Sequence, residues 1–522
     1  MRSNPHPAVV FAVIFVAIFL LHFPLLQLPY FWDEAGYYVP AARDLLLTGS
    51  LIPHTTVSNA HPPLVLAWVA LWWKVVGYAP MVTRSAMLLL AAFSLLGVFR
   101  LAQRVASRSV AIASALCVAL YPVFFAQSSL AQVDLAAAGL TFWGIDAYLE
   151  ERALASALWF SLAALAKETA VLAPLALAAY ELLRMAAPVN WRKRFDLADS
   201  TRHWKAIVAL LIPLLPLAAW YAYHFARTGY VFGNPEFFRY NIAATVNPLR
   251  FVLALILRLW QTFGYLNLWL LTMAMALAML WPPLRDFGLE RPRIAMPTQL
   301  AFSSVIAAYV VSMALIGGAV LARYMLPAIP LVIILAVSTL RRRIRYWTAV
   351  VAVVCVAFVF AWFRNPPYGF SPEDNLAYRD YIVLHENAER FLEARYPMAH
   401  VLTAWPASDE LTRPWLGYTT RPLQVVRIED FSLEQVLSAA DFRSHFDVAL
   451  VFSTKYDPPQ SLGDRWQVWI DLKRRFFGFH RDLPPTAAAR ILGGNIVFAQ
   501  QRKEQWVAVI ELEQAQILNA RR

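Results

Sequence analysis

Two adjacent carboxylates, Asp33 and Glu34, open a stretch that reads FWDEAGYYVPAARDLLLTGSLIPHTTVSNAHPP from Phe31 to Pro63. A carboxylate held beside a hydroxyl can take its proton as bond formation proceeds, a contribution of about 10²–10⁴-fold in rate. An apolar segment ends just before the pair and others follow, so both charges sit at the mouth of an apolar helix, where a charge needs a reason. The functional reading is a general base. The structural readings are a solvated pair ending the first helix, or an N-cap for a helix over Ala35–Leu47. At the far end, His61-Pro62-Pro63 fixes an extended turn and starts the next helix. Its imidazole is suited to a phosphate or a metal, or is a loop histidine beside a helix start.

Three further places carry charge between apolar runs. Asp134, in AQVD, stands where a loop enters a helix; it fits an assistant to Asp33, a ligand for a sugar hydroxyl or a cation, or an N-cap. Lys167 and Glu168 interrupt an alanine-leucine stretch, as a phosphate-pairing lysine or as a Lys–Glu turn snorkelling to the surface. Arg323-Tyr324, in ARYMLPAIP, offers a guanidinium suited to bidentate phosphate binding or an interfacial anchor. Pro327 and Pro330 would break the first turns of the helix that follows and free backbone groups near a cavity.

The whole chain sets the context for these residues. Of 522 residues, 59% are hydrophobic and 15% charged, with a mean hydropathy of +0.49. Soluble domains average about 45–50% apolar and about 25% charged residues. The balance is that of a polytopic membrane protein. Its net charge of +12 is explained by topology rather than by nucleic acid, because the arginines cluster between apolar segments. Cys117 and Cys355 both fall inside apolar segments, which predicts two buried thiols with no disulfide framework and no zinc site. The apolar run from Ala8 to Leu28 is too long for a signal-peptide core and reads as a retained first transmembrane helix.

The predicted spans are 8–28, 82–100, 109–126, 134–149, 153–166, 168–184, 206–225, 251–281, 298–320, 324–340 and 346–363, about eleven in all. With the N-terminus inside, the dense basic clusters (Arg100, Arg104 and Arg108; Arg184, Arg192, Lys193, Arg194, Arg202 and Lys205; Arg285, Arg291 and Arg293; Arg341, Arg342, Arg343 and Arg345) all lie on the inner side. Parity keeps 153–184 as two short helices and 251–281 as one long or bent element. Residues 62–79, with Trp68, Trp72, Trp73 and Lys74, read as an interfacial helix. The first domain is then 1–363, with a first outer loop over 30–81. Residues 364–522 turn polar, with strand-like runs at His400–Ala404, Leu423–Ile428, Asp447–Ser453, Asn495–Ala499 and Trp506–Ile510 and a helical pattern over Leu433–Phe446. That alternation predicts a small α/β domain on the outer face. On this topology the acidic pair, His61, Asp134, Lys167 and Arg323 share that face.

The pattern resembles the GT-C superfamily of polyprenyl-phosphate-sugar-dependent glycosyltransferases, in particular bacterial relatives of the dolichyl-phosphate-mannose protein mannosyltransferases and of the lipid A aminoarabinose transferase. The resemblance covers roughly residues 8–363 and rests on DEAGYY at Asp33–Tyr38, HPPL at His61–Leu64, AQVD at Ala131–Asp134, LAKE at Leu165–Glu168 and RYMLPAIP at Arg323–Pro330. It implies an inverting, single-displacement transfer from a polyprenyl-phosphate sugar to a hydroxyl acceptor of the cell envelope, in a multipass protein of the bacterial inner membrane. Asp33 resembles the catalytic carboxylate, Glu34 its neighbour and Asp134 the second-loop acid. Lys167 and Arg323 resemble the basic residues facing the donor phosphate, with Tyr324 beside them. His61 stands where some relatives carry lysine. The acidic residues near His61 permit a divalent metal ion, and no spacing demands one. The lipid tail would lie among helices, where Trp260, Tyr265 and Trp269 are candidate lining residues or plain packing. Two rival readings are a secondary transporter, for which the paired, similarly interrupted halves are missing, and an inactive relative that binds an envelope partner.

Overall fold

A computed structural model describes residues 6–188, 203–233, 247–316, 318–456, 458 and 466–513. Arg192, Lys193, Arg194 and Arg202 of the expected basic loop lie outside the described residues. The chain divides into two compact units: Met1–Pro24, Ala41–Gly77 and Val82–Trp362 in the first, and Leu25–Pro40, Tyr78–Met81 and Phe363–Arg522 in the second.

The first unit is helical, and each predicted span contains helix. Six helices are long and apolar enough to cross a membrane: Pro7–Leu25, Pro80–Val105, Glu168–Ala186, His203–Thr228, Pro248–Ala278 and Met296–Leu315. Four shorter apolar helices join them, at Leu64–Val76, Arg108–Leu120, Ala153–Ala166 and Trp347–Phe363. The protein is a multipass membrane protein. The helix Leu64–Val76 has 13 residues, a rise of about 20 Å, short of the roughly 30 Å of a hydrocarbon core.

Several helices end or bend where the chain dictates it. The predicted span 109–126 stops at Leu120, and Pro122 starts a separate helix, Pro122–Gln127. The span 324–340 becomes regular helix only from Ile329, after a 3₁₀ turn at Ala322–Met325, with Pro330 in its first turn. The long element over 251–281 is bent. Pro248–Phe263 and Leu268–Ala278 are separated by a turn in which Leu266 and Asn267 take φ of 46° and 70°.

Small residues let these helices approach closely. A Cβ on Gly139 would lie 1.8 Å from Ser94 Oγ, and one on Gly144 would lie 2.7 Å from the Phe160 ring. Ser156 donates to the Gly144 carbonyl at 3.3 Å, which fixes helix Ala153–Ala166 against Val133–Leu149. Cys117 and Cys355 are both free and buried, with their sulfurs 3.8 Å apart. Basic residues at helix ends are neutralised locally: Arg104 pairs with Asp146 and Glu150, and Glu181 receives Arg184 and His203.

The second unit carries the small α/β fold. Its strands are β1 (His400–Ala404), β2 (Gln424–Ile428), β3 (Val448–Phe452), β4 (Gly494–Arg502) and β5 (Gln505–Leu512). The sheet order is β2-β1-β3-β5-β4, with β2, β1 and β3 parallel and β5 and β4 antiparallel. All five predicted strands are present. The helix Ala377–Arg395, which packs on β4 and β5, was not predicted. Its inward stripe, Tyr378, Tyr381, Ile382, His385, Ala388, Glu389 and Leu392, has helical spacing but includes two ionisable residues, which hides the apolar period.

Gly144→Val should lower stability by about 1–3 kcal/mol through overpacking against Phe160, read as a fall in melting temperature in detergent. An unchanged melting temperature would contradict the close approach of these two helices.

Candidate active site

The acidic turn belongs to the second unit, and its backbone is unusual in two ways. Trp32, directly before Asp33, has a φ of 46°, a left-handed conformation costly for a bulky residue. Residues Glu34–Tyr38 then form a single π-helical turn leading into helix Val39–Thr48; such turns are wide, rare and frequent at functional sites. The neighbours enforce the shape. The Tyr30 N–H donates to the Leu416 carbonyl at 3.3 Å, and Tyr418 Oη donates to the Tyr30 carbonyl at 3.0 Å. The Trp32 ring meets Trp405 and Tyr381 edge-on at 5.1 and 5.7 Å. A Cβ on Gly36 would fall 2.6 Å from the Trp405 ring, so this position admits only glycine at that distance.

The turn separates the two carboxylates. Glu34 is fully buried, and its Oε2 accepts from the Phe31 N–H at 2.8 Å, tying the turn to itself. Asp33 is half-buried and makes no side-chain capping bond, although it occupies the position before the helical turn. The capping reading of Asp33 is thereby corrected. Capping requires the extended backbone of an N-cap, and Asp33 has φ −60° and ψ −28°.

The first unit gathers the other charged residues. Asp134 is 3% exposed in the first turn of helix Val133–Leu149 and receives the Lys167 ammonium on one oxygen and Arg323 Nε on the other, the latter at 3.2 Å. Arg323 Nη1 also donates to Gln132 Oε1 at 2.8 Å. Lys167 Nζ stands 3.9 Å from the centroid of the Tyr324 ring, and Arg258 and Arg323 lie 5.5 and 5.6 Å from it. Three structural readings are overturned. Lys167 and Arg323 are 4% and 3% exposed, so the lysine does not snorkel and the arginine is no surface anchor. Asp134 lies past the N-cap, which is Gln132, and its carboxylate is spent on cations.

Sequence reasoning missed Arg258, Gln132 and Arg84. Arg258 is fully buried and donates to Gln261 Oε1 and to the carbonyls of Met313, Ala319 and Leu321, so it ties down the turn ahead of Arg323. The signal was an arginine in the middle of the apolar stretch 251–281, a default functional candidate. Arg84, also fully buried, donates to the Ser129 carbonyl at 3.2 Å in the loop before Asp134.

His61 sits after Ala60, whose φ is 58°, and its Nδ1 meets Glu168 Oε2 at 2.8 Å. No third ligand joins these two among the described residues. The one group of three metal-capable side chains found there is His385, Glu389 and Glu410, in the second unit.

No sequence-family model and no curated protein matches the chain. Its shape does match solved structures. ArnT from Cupriavidus metallidurans bound to undecaprenyl phosphate superposes with a TM-score of 0.53 at 14% identity, covering 96% of this chain and 97% of that one. The apo form of ArnT gives 0.51 at 15% identity, with 97% and 98% covered. The oligosaccharyltransferase AglB from Archaeoglobus fulgidus, in complex with an inhibitory peptide and a dolichol-phosphate, gives 0.51 at 10% identity, with 96% and 74% covered. The fold is that of ArnT and AglB. In this chain the cationic side chains of Lys167, Arg258 and Arg323 lie over the Tyr324 ring, and Asp134 pairs with Lys167 and Arg323.

Asp134→Ala strands Lys167 and Arg323 without their shared counter-ion. Removing one partner of a buried pair costs about 3–5 kcal/mol, so the variant should melt at a clearly lower temperature. A wild-type melting curve would contradict the pairing.

Proposed function

We propose that this protein transfers a sugar, with inversion, from a polyprenyl-phosphate donor to a hydroxyl acceptor on the outer face of the membrane. The observation that carries the reading is the gathering of the buried cations Lys167, Arg323 and Arg258 over the Tyr324 ring, with Asp134 between two of them, on a GT-C fold. Clustered guanidinium and ammonium groups suit the oxygens of a lipid-linked phosphate. The structures of similar fold lend support: ArnT was solved with undecaprenyl phosphate and AglB with a dolichol-phosphate.

In the proposed reaction Asp33 takes the proton of the acceptor hydroxyl. The oxygen forms a bond to the anomeric carbon as the bond from that carbon to the phosphate oxygen breaks. Polyprenyl phosphate leaves with one further negative charge. Lys167, Arg323 and Arg258 are the groups that would stabilise that charge. Tyr324 and His61 complete the donor-phosphate site, with Asp134 orienting Lys167 and Arg323. Glu34, named with Asp33 from the sequence, holds the turn through Phe31. An apolar cavity of about 480 Å³, lined by Leu255, Leu259, Phe263, Ile306, Val310 and Val332 among others, is suited to polyprenyl chains. Trp260 and Trp269 are each 41% exposed, as lipid-facing rings would be, and Tyr265 is packed inside.

The proposed setting is the bacterial inner membrane, with the N-terminus cytoplasmic, residues 1–363 as the catalytic membrane domain and 364–522 outside. The basic clusters support that orientation. The acceptor is a lipid, glycan or protein hydroxyl of the envelope. The divalent ion allowed for near His61 is assigned instead to the second unit, as argued below.

Asp33→Asn should keep the wild-type melting temperature and donor affinity and lose at least about 10²-fold in kcat. Lys167→Met should instead weaken donor binding. Normal turnover by Asp33→Asn would remove Asp33 as the base.

A further inference from the structure

The second unit buries three ionisable side chains against one another and away from any basic partner. His385 and Glu389 are one helical turn apart on Ala377–Arg395, and Glu410 comes from the short helix Ala407–Thr412. Their exposures are 1%, 0% and 0%. His385 Nδ1 lies 2.7 Å from Glu410 Oε2 and 3.8 Å from Glu389 Oε1, and one ligand atom from each residue falls within 4.8 Å of the others. Among the described residues, neither carboxylate has a lysine or arginine within ion-pair distance. Both oxygens of Glu389, Oε1 of Glu410 and Nε2 of His385 are buried with no hydrogen-bond partner.

With both carboxyl groups ionised the cluster is net negative whether the imidazole is neutral or protonated, and burying that charge uncompensated costs several kcal/mol. Two remedies exist. One is a proton shared between the carboxyl groups, and burial together with the charge of Glu410 does hold Glu389 well above the usual carboxylate range. A shared proton satisfies only one of the two Glu389 oxygens. The other remedy is a divalent cation, which Glu389 can meet with both. Bonds of about 2.0–2.1 Å in a tetrahedral site set ligand atoms roughly 3.3 Å apart, between the 2.7 Å and 3.8 Å that separate His385 Nδ1 from the two carboxylates. The imidazole selects the ion: histidine with carboxylates suits zinc and its neighbours, whereas calcium and magnesium prefer oxygen alone.

We propose that His385, Glu389 and Glu410 bind a divalent transition-metal ion, zinc foremost, which pins helix Ala377–Arg395 to Ala407–Thr412. The site lies under the acidic turn. Tyr381 stacks on His385 with ring centroids 3.9 Å apart, and Phe31 and Trp32 pack against the other reach of Tyr381 at 5.2 and 5.7 Å. The ion is thus a positioning element beneath the shelf that holds Trp32 and Asp33, and it touches no reacting atom.

The test uses the full-length protein in detergent, exposed to zinc chloride and freed of excess, with bound zinc measured by mass spectrometry. The wild type should hold about one zinc per chain and melt higher with it; Glu389→Gln, which keeps the shape of a neutral glutamic acid, should bind zinc more than about tenfold more weakly and lose that rise. Absence of zinc from the wild type, or equal retention by Glu389→Gln, overturns the site. A folded Glu389→Gln with the wild-type melting curve, zinc present or not, establishes the shared proton instead. If the variant does not fold, chelation decides: the wild-type melting temperature should fall and return with zinc but not with magnesium, and indifference to chelation overturns the proposal. None of these readings depends on transferase activity.

Discussion

Asp134, buried between Lys167 and Arg323, is the interaction on which the helical unit is organised. Three chain segments far apart in sequence meet there, each brought by a break in helix. The Gln132–Asp134 entry starts one helix, Lys167 is the extended residue between two, and Ala322–Met325 is a 3₁₀ turn ahead of a proline-started helix. Breaks of this kind inside an apolar bundle are tolerated where the freed backbone meets polar partners. Arg258 is such a partner, with its guanidinium spread over the carbonyls of residues 313, 319 and 321. The arrangement gathers three cationic side chains around one aromatic ring.

The acidic turn solves a different problem. It must present one carboxylate while burying the other, and it does so with strained backbone. The left-handed Trp32 and the π-turn at Glu34–Tyr38 cost energy that the packing of Trp32 on Trp405 and Tyr381 offsets. Glu34 closes the turn on Phe31, leaving Asp33 half-buried. Two adjacent carboxylates of the same chemistry are thus given different burial by geometry.

Much of this was legible from the chain. The helices were, because twenty-odd apolar residues between basic clusters leave few alternatives, and the five strands were, because each is a short run bounded by turn residues. The surroundings of each charge were not. Lys167 and Asp134 carry the same letters whether they face solvent or each other, and only the pairing of three distant segments decides it. Arg258 was averaged away by the apolar residues around it. The helix Ala377–Arg395 was obscured because Glu389 and His385 occupy its buried face, where the pattern demands apolar residues. The places where the pattern failed are places where buried polar groups have work other than packing.

A lipid-linked phosphate is the group proposed for this cation cluster. The most direct measurement reconstitutes the purified protein, offers a panel of polyprenyl-phosphate sugars with a cell-envelope extract as acceptor, and follows free polyprenyl phosphate. Release from at least one donor, dependent on the extract, is the expected result. Absence of release from every donor, together with bidirectional solute uptake by the same proteoliposomes, would contradict it and identify a transporter built on this fold.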